Sequence, residues 1–416
     1  MRCLKLMSFF MLVATGAARA DVLVDWVDLA VSSLQSTKQT PAEQARTMAI
    51  LQLAMFEAIN GSDGPYTSYL PGSNAGISVA SASIAPGAGG DRSREVRAAA
   101  AAHEALTGLL PAQKAAFDAA LEKSLAASAG GAGRDSDVAE GRRIGAAVLA
   151  LRANDGWDAP NTFRPPTRPG LYIPTSLPIS SSWGSVKPWA MKSGSEFRPG
   201  KPPELSSKTW ARDYNEIKAI GRKTGSTRTE AQTETAKFWT VAGPGGRMPI
   251  VHQLASRGDR SLVQRARLYA LVGFALSDAY VAVMDAKYAY SFWRPVTAIR
   301  NGDQDGNEAT ERDPAWEPLV DTPMHPEYPC SHCIGSAALA GVLESELGTG
   351  NLGAFSMTSV AAPGAIHTWE KLSDHAAEVS NARIWGGIHY RNSTEVGAAM
   401  GRSIAKAVVS RVLVPR

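Results

Sequence analysis

The stretch from Ser261 to Trp293 is apolar through nearly every turn of a would-be helix, and it narrows the folds open to this chain more than any other feature. A helix that is hydrophobic all round has to be buried all round, in lipid or in a large protein core. Asp278, Asp285 and Lys287 lie inside the run, and such groups argue for a core helix over a membrane span. A helix of that kind needs other helices around it. The chain offers one from Pro41 to Asn60, where Ala45, Met48, Leu51, Met55 and Ile59 recur at helical spacing before Gly61 stops the run. Arg94–Leu110, Pro111–Ala126, Asp137–Ala153, Trp210–Gly221 and Arg228–Val241 are further candidates, followed by Ile334–Leu347, Ser373–Trp385 and Thr394–Val412. No region alternates apolar and polar residues long enough to argue for a sheet. The expected architecture is an all-α bundle.

Residues 155–207 are of another kind, rich in Pro, Ser, Gly and Trp and without helical periodicity. Trp157, Phe163, Tyr172, Trp183 and Trp189 favour a wrap pinned by aromatics over a linker, because linkers are poor in them. At the N-terminus, Arg2 and Lys5 precede an apolar run from Leu6 to Ala14, and Ala18-Arg19-Ala20 has the small-x-small form of a cleavage site. The run is far below the roughly 18 residues a span requires. Residues 1–20 therefore read as a removed signal peptide, with an exported chain, periplasmic or secreted, that starts near Asp21. The remaining plan is an N-terminal helical half over 21–154, the wrap over 155–207, and a C-terminal helical bundle over 208–416.

Removal of the leader changes two arguments. Without Arg2, Lys5 and Arg19 the 43 Lys+Arg fall to 40 against 39 Asp+Glu, so the charge gives no case for nucleic-acid binding. Cys3 leaves as well, and Cys330 with Cys333 is too small a set for a disulfide framework. The core must come from packing.

Three segments carry chemistry. In Lys287-Tyr-Ala-Tyr-Ser-Phe-Trp-Arg294-Pro295 the two cations are seven apart, two helical turns, so both are expected on one helix face. They either flank an anion or each pair with a carboxylate. In His325-Pro-Glu-Tyr-Pro-Cys330-Ser331-His332-Cys333 a helix follows at once, placing backbone N–H groups at its N-terminus as an anion site. His332 in the first turn is either a proton donor to a bound oxyanion or a structural residue. In Arg383-Ile-Trp-Gly-Gly-Ile-His389 the Gly386-Gly387 pair lets the backbone pass close to a neighbour or ligand, or simply ends a helix with a solvated Arg.

Taken together and in this order, the three segments resemble the superfamily that joins vanadium-dependent haloperoxidases to type 2 phosphatidic-acid phosphatases and bacterial acid phosphatases. Its pattern is K-x6-R-P, then P-S-G-H, then S-R-x5-H-x3-D. The first block is complete as Lys287, Arg294 and Pro295; the second is Pro329-Cys330-Ser331-His332; the third keeps Arg383 and His389 with its five-residue gap. The match spans about 100 residues near the C-terminal end. Size, a long wrapping segment and helices on both sides of it are similar to the soluble bacterial haloperoxidase-like proteins, which implies an all-α fold of two packed helical bundles.

The resemblance implies vanadate as cofactor, with phosphate able to take the same site. His389 is the implied vanadate ligand. Lys287, Arg294 and Arg383 balance the oxyanion charge, Cys330 and Ser331 contribute to the oxyanion loop, and His332 is the acid–base partner. Hydrogen peroxide then oxidises halide, and a small organic substrate can be halogenated. His325 stands where bromoperoxidases of the family have His and a chloroperoxidase has Phe, which favours bromide or iodide. The alternative at the same atoms is an acid phosphatase acting on a phosphate ester through phosphohistidine at His389, with His332 protonating the leaving alcohol.

Departures matter too. Cys330 replaces the family Ser, Ser331 the Gly, Ala382 the Ser before Arg383, and Ser393 the Asp expected four residues after His389. That last change leaves His389 without its usual orienting partner. Cys330-Ser-His-Cys333 also spells a C-x-x-C redox pair, but no strand-helix-strand context surrounds it; the same pair could form a local disulfide that stiffens the loop. A zinc site from His325, Cys330, His332 and Cys333 is poorly spaced. Asp303, Asp305 and Asn307 suggest a calcium loop, yet Glu308 and Pro314 occupy the positions that need Gly and Glu, so a solvated loop is expected. His103, His252, His367 and His375 carry no motif and default to structural roles. The oligomeric state is open, a homo-oligomer included.

Overall fold

The computed structural model describes residues 21–71, 90–127, 133–241 and 243–416. The expected signal peptide, residues 1–20, lies outside them. The N-terminal half holds α1 (Val22–Gln35), α2 (Pro41–Asn60), α3 (Gly90–Leu109), α4 (Lys114–Ala127) and α5 (Arg134–Arg152). After the irregular segment come α6 (Lys208–Ile220), α7 (Glu230–Phe238), α8 (Met248–Ala255), α9 (Leu262–Tyr290) and α10 (Pro295–Arg300). The chain closes with α11 (Ser331–Leu347), a hairpin of β1 (Phe355–Ser359) and β2 (Ala362–Trp369), α12 (Leu372–Trp385) and α13 (Arg391–Arg411).

The apolar run is α9, buried from Leu262 to Lys287 with few breaks. Its start is set by a capping box, in which Ser261 accepts from Gln264 N–H and the Gln264 side chain answers the Ser261 N–H. Helix α2, started by the same device at Thr40 and Glu43, lies along α9, with α3 and α5 stacked beyond it. On the other side α11 packs against α9 and α13. One continuous apolar cluster therefore runs from Val22 in α1 to Leu413 after α13. A second cluster of Trp210, Tyr214, Phe292, Trp293, Trp316, Tyr328 and Tyr390 backs the site described below.

The irregular segment wraps as expected, and its anchor is a carboxylate. Buried Asp278 in the middle of α9 accepts the backbone N–H groups of Trp189 (2.7 Å), Ala190 (2.8 Å) and Met191 (3.1 Å). Trp189 then stacks on Phe274 at 4.5 Å and carries the Arg152 guanidinium on its ring at 4.0 Å. Irregular backbone inside a fold has to find partners for its polar groups, and these bonds provide them.

Two expectations need correction. The β1–β2 hairpin, paired antiparallel from Phe355↔Trp369, was not expected. Only Phe355, Met357 and Ser359 alternate inward, while β2 is buried at its ends alone, so the pattern is too short and too irregular to read. Nor do Lys287 and Arg294 share a helix face. Helix α9 ends at Tyr290, Ser291 turns left-handed at φ 48°, and Arg294 is the N-cap residue of α10. It is that turn which swings Arg294 back toward Lys287.

Candidate active site

Loop 321–330, the start of α11, the α12–α13 connection and the wrap enclose a cavity of ≈ 520 Å³. Its polar wall holds His325, Ser331, His332, Arg383 and His389; Ile179, Met284, Leu319, Val320 and Pro323 make an apolar side. His389 follows α12 through Gly386 and Gly387. Gly387 has φ 79°, and a Cβ there would sit 2.4 Å from the Gly221 carbonyl oxygen, so only glycine lets the chain pass. Helix α13 then approaches the start of α11 closely enough that a Cβ on Gly397 would meet the Cys330 carbonyl oxygen at 2.7 Å.

The three sequence-predicted cations converge here, all buried and, among the described residues, none in an ion pair with a carboxylate. Backbone carbonyls hold them instead. Lys287 Nζ donates to the carbonyls of Pro326 (2.8 Å) and Glu327 (2.7 Å). Arg294 donates through Nε to the His325 carbonyl (2.9 Å) and through Nη1 to that of Ile388 (2.8 Å). Arg383 donates through Nη1 to the Trp239 carbonyl (2.5 Å), while its buried Nε has no partner. Lys287 and Arg294 stand behind the wall rather than in it. Arg294 reaches the cavity through the histidines, with Nη2 3.0 Å from His325 Nδ1 and Nη1 3.4 Å from His389 Nε2.

Burial and mutual repulsion shift these groups in one direction. Burial first, then Arg294, pushes the Lys287 ammonium well below its usual range. Burial takes Arg294 to about 10; burial, then Arg294 and Arg247, takes Arg383 to about 9. His389 is pushed far down by burial, then Arg294, Lys287 and Arg383; His332 by burial, then Arg383 and Arg247. The two imidazoles are therefore neutral. In His389, Nδ1 lies 2.8 Å from the Glu327 carboxylate and Nε2 faces Arg294 Nη1 at 3.4 Å.

Glu327 is a residue that sequence reasoning missed. It sits in the predicted segment, between His325 and Tyr328, and burial raises its carboxyl to about 7 against the pull of Lys287 and Arg294. Arg247, N-cap residue of α8, is a second omission: it is buried, donates to the Gly243 carbonyl at 2.9 Å, and bears electrostatically on His332, His375 and Arg383. No motif surrounds it that could have marked it.

Cys330 does not fill its expected role. It is disulfide-bonded to Cys333, so it has no S–H to donate, and its N–H is taken by the Ser393 carbonyl at 3.2 Å. Both cysteines are fully buried, which removes them as exposed exchange thiols and as zinc ligands. Ser331, by contrast, lines the cavity at the first position of α11 with a buried hydroxyl that has no partner, and His332 Nε2 is likewise unpartnered. Asp305 is satisfied by Trp210 Nε1 at 2.7 Å and by the Thr310 hydroxyl, so this loop closes on itself. His103, His252 and His367 pair with Asp118, Asp28 and Glu378.

A tetrahedral oxyanion fits this set. It brings acceptor oxygens to the unpartnered Ser331 hydroxyl and Arg383 Nε, and negative charge to three uncompensated cations.

The architecture is shared with known proteins. Residues 267–414 match the family model of the VCPO second helical-bundle domain. No curated protein matches in sequence. Among solved structures, the first bacterial vanadium-dependent iodoperoxidase superposes with a TM-score of 0.78 at 22% identity, covering 95% of this chain and 97% of that one. The holo form of a bacterial vanadium-dependent chloroperoxidase gives 0.69 at 16% identity, covering 95% of this chain and 98% of the other. Residues 267–414 are thus a VCPO-type second helical bundle, and the chain as a whole has the fold of the bacterial vanadium-dependent haloperoxidases.

Proposed function

We propose that this protein is an exported, vanadate-dependent haloperoxidase that uses hydrogen peroxide to oxidise bromide or iodide. One observation carries the reading: Lys287, Arg294 and Arg383, buried without carboxylate partners, surround a neutral His389 whose Nε2 meets only a long 3.4 Å contact from Arg294. Lys287, Arg294, Arg383 and the Ser331 hydroxyl would hold the vanadate oxygens, and His389 Nε2 would bind the metal. When bound, vanadate supplies a centre that activates peroxide without changing its own oxidation state. His332 Nε2, unpartnered and on the cavity wall, takes the proton that peroxide must lose on binding. The apolar wall of Ile179, Met284, Leu319 and Val320 excludes water and gives room for a small organic acceptor.

His325 touches Arg294 at 3.0 Å from the cavity wall, placing it to tune the halide. The higher TM-score with the iodoperoxidase than with the chloroperoxidase supports iodide over chloride. Export is supported by Asp21, which caps α1 immediately after the expected cleavage point, accepting from Leu23 N–H at 3.0 Å. N-terminal sequencing of the exported protein should begin at or near this residue.

A single purified preparation tests the reading. Bromination with peroxide and bromide, and hydrolysis of p-nitrophenyl phosphate, are measured side by side with and without vanadate. Bromination that appears only with vanadate is the expected result. Hydrolysis that vanadate blocks, without bromination, replaces the peroxidase by the phosphatase.

A further inference from the structure

We propose that Glu327, from the loop ahead of α11, fixes the tautomer and heading of His389, a task the resembling family gives to an acid on the helix after the histidine. The inference rests on the reading of His389 as the anion-facing residue. At that helix position this chain has Ser393, which cannot hold an imidazole by charge. Glu327 Oε1 lies 2.8 Å from His389 Nδ1, and both side chains are shut off from solvent. Arg294 Nη1, which can only donate, faces Nε2 at 3.4 Å, and the ionised carboxylate can only accept, so the proton sits on Nδ1.

The carboxylate is itself held in place. Oε1 also accepts the Tyr390 N–H at 3.1 Å, which sets it relative to the His389 backbone. The Glu327 N–H donates to the Phe292 carbonyl at 2.9 Å, and its own carbonyl accepts from Lys287 at 2.7 Å. One residue thus ties a cation through its main chain and the imidazole through its side chain. Ser393 on α13 adjoins the same carboxylate with its hydroxyl and Glu327 Oε2 both unpartnered, so the loop acid occupies the place an acid on α13 would fill. Glu327 is a positioning residue in this scheme: it acts through His389 and does not face the cavity.

The alternative is a buried acid that only caps Tyr390. Glu327→Ala, Glu327→Gln and Glu327→Ala/Ser393→Asp in the full-length protein separate the two. The tautomer of His389 is read by nitrogen NMR of histidine-labelled protein without any anion, assigned against His389→Gln. Vanadate, and separately inorganic phosphate, is then titrated calorimetrically. The wild type should show one tautomer protonated at Nδ1. Glu327→Ala should lose it and bind vanadate ~10–100-fold more weakly, the range typical of groups that orient a metal ligand. Glu327→Gln keeps the volume and covers the case in which Ala does not fold. The double variant should regain both tautomer and affinity, because the carboxylate has only moved.

Unchanged tautomer and affinity in the folded single variants would overturn the proposal, leaving Glu327 as a cap. So would a folded double variant that stays impaired. A wild type that binds neither vanadate nor phosphate sinks the functional reading instead; the tautomer, measured in anion-free protein, still decides the role of Glu327.

Discussion

Replacing Lys287 by Met should barely alter the stability of the anion-free protein but erase most of the stabilisation given by vanadate. The ammonium is fully buried and donates to two carbonyls, those of Pro326 and Glu327. Met is of similar length and removes both bonds, a loss of ~1.5–3 kcal/mol each for charged donors. It also removes a desolvated charge repelled by Arg294, which relieves several kcal/mol. The two effects oppose each other, so the net change is expected within ~2 kcal/mol. Binding is different, because the anion loses one charge-assisted contact, again ~1.5–3 kcal/mol, or ~10–150-fold in Kd. At a vanadate concentration of ~100 Kd for the wild type, linkage gives ~2.7 kcal/mol. A chain of this length has an unfolding entropy of ~0.8 kcal/mol/K, so that stabilisation appears as ~3 °C in Tm. For the variant at the same concentration it falls to ~0.3–1.4 kcal/mol, under ~2 °C. Differential scanning calorimetry with vanadate, phosphate and an equal ionic strength of chloride reads both quantities. Equal vanadate shifts in the two proteins would refute the claim that the Lys287 charge helps to hold the anion.

Four further outcomes follow from the same structure. Asp278→Ala leaves three backbone N–H groups of the wrap without acceptors, at ~1–3 kcal/mol each, and limited proteolysis should then cut within residues 155–207; intact resistance would deny Asp278 its anchoring role. Burial raises the Asp278 carboxyl from 3.8 to about 6, so the folded state binds its proton more tightly than the unfolded one. Its contribution, on the order of 3 kcal/mol, is present below pH ~4 and lost as pH rises toward ~6; Asp278→Asn should flatten that part of the stability–pH curve. Gly387→Ala forces a left-handed residue against the Gly221 carbonyl, and should lower stability by over ~2 kcal/mol in denaturant titration while weakening vanadate binding through His389. Cys330→Ser/Cys333→Ala should retain vanadate binding in calorimetry, since Ser is a good N-cap and neither sulfur lines the cavity; its loss would give the disulfide a direct part in the site.

What was legible in the sequence followed chain-local spacing. Lys287, Arg294, Arg383, His332 and His389 could be named because each lies in a short segment whose order and gaps carry information. The reason given for the first pair was wrong even so: a non-glycine left-handed turn at Ser291 leaves no mark in composition. Helix α9 was readable because its burial is all-round and long, whereas six-residue α10 and eight-residue α8 are too short for a period to register. Helix α1 did carry a signal, with Leu23, Trp26, Val27, Ala30 and Leu34 at helical intervals behind the cap at Asp21, but the reading stopped at the leader. Glu327 shows the opposite limit. Its carboxylate meets His389 across 62 positions of chain, and only the packing of α11 on α13 brings the two loops together.

The same packing explains how a fold can keep so much positive charge buried and still unused. Carboxylates would hold Lys287, Arg294 and Arg383 in place, but each would cancel the charge it anchored and leave little attraction for an anion. Main-chain carbonyls satisfy the donors at the strength of ordinary dipoles and leave the net charge intact, and every one of these cations is held that way, as is Arg247 beside them. Burial first, and their combined field with it, keeps His325, His332 and His389 neutral, which is the state in which an imidazole can bind a metal or accept a proton. The buried carboxylate among these groups, Glu327, makes its side-chain contact with the imidazole of His389 and the Tyr390 N–H rather than with a guanidinium or the ammonium. Positive charge without a counter-ion, next to a neutral ligand with a fixed lone pair, is an arrangement that an oxyanion completes and that none of the described residues does.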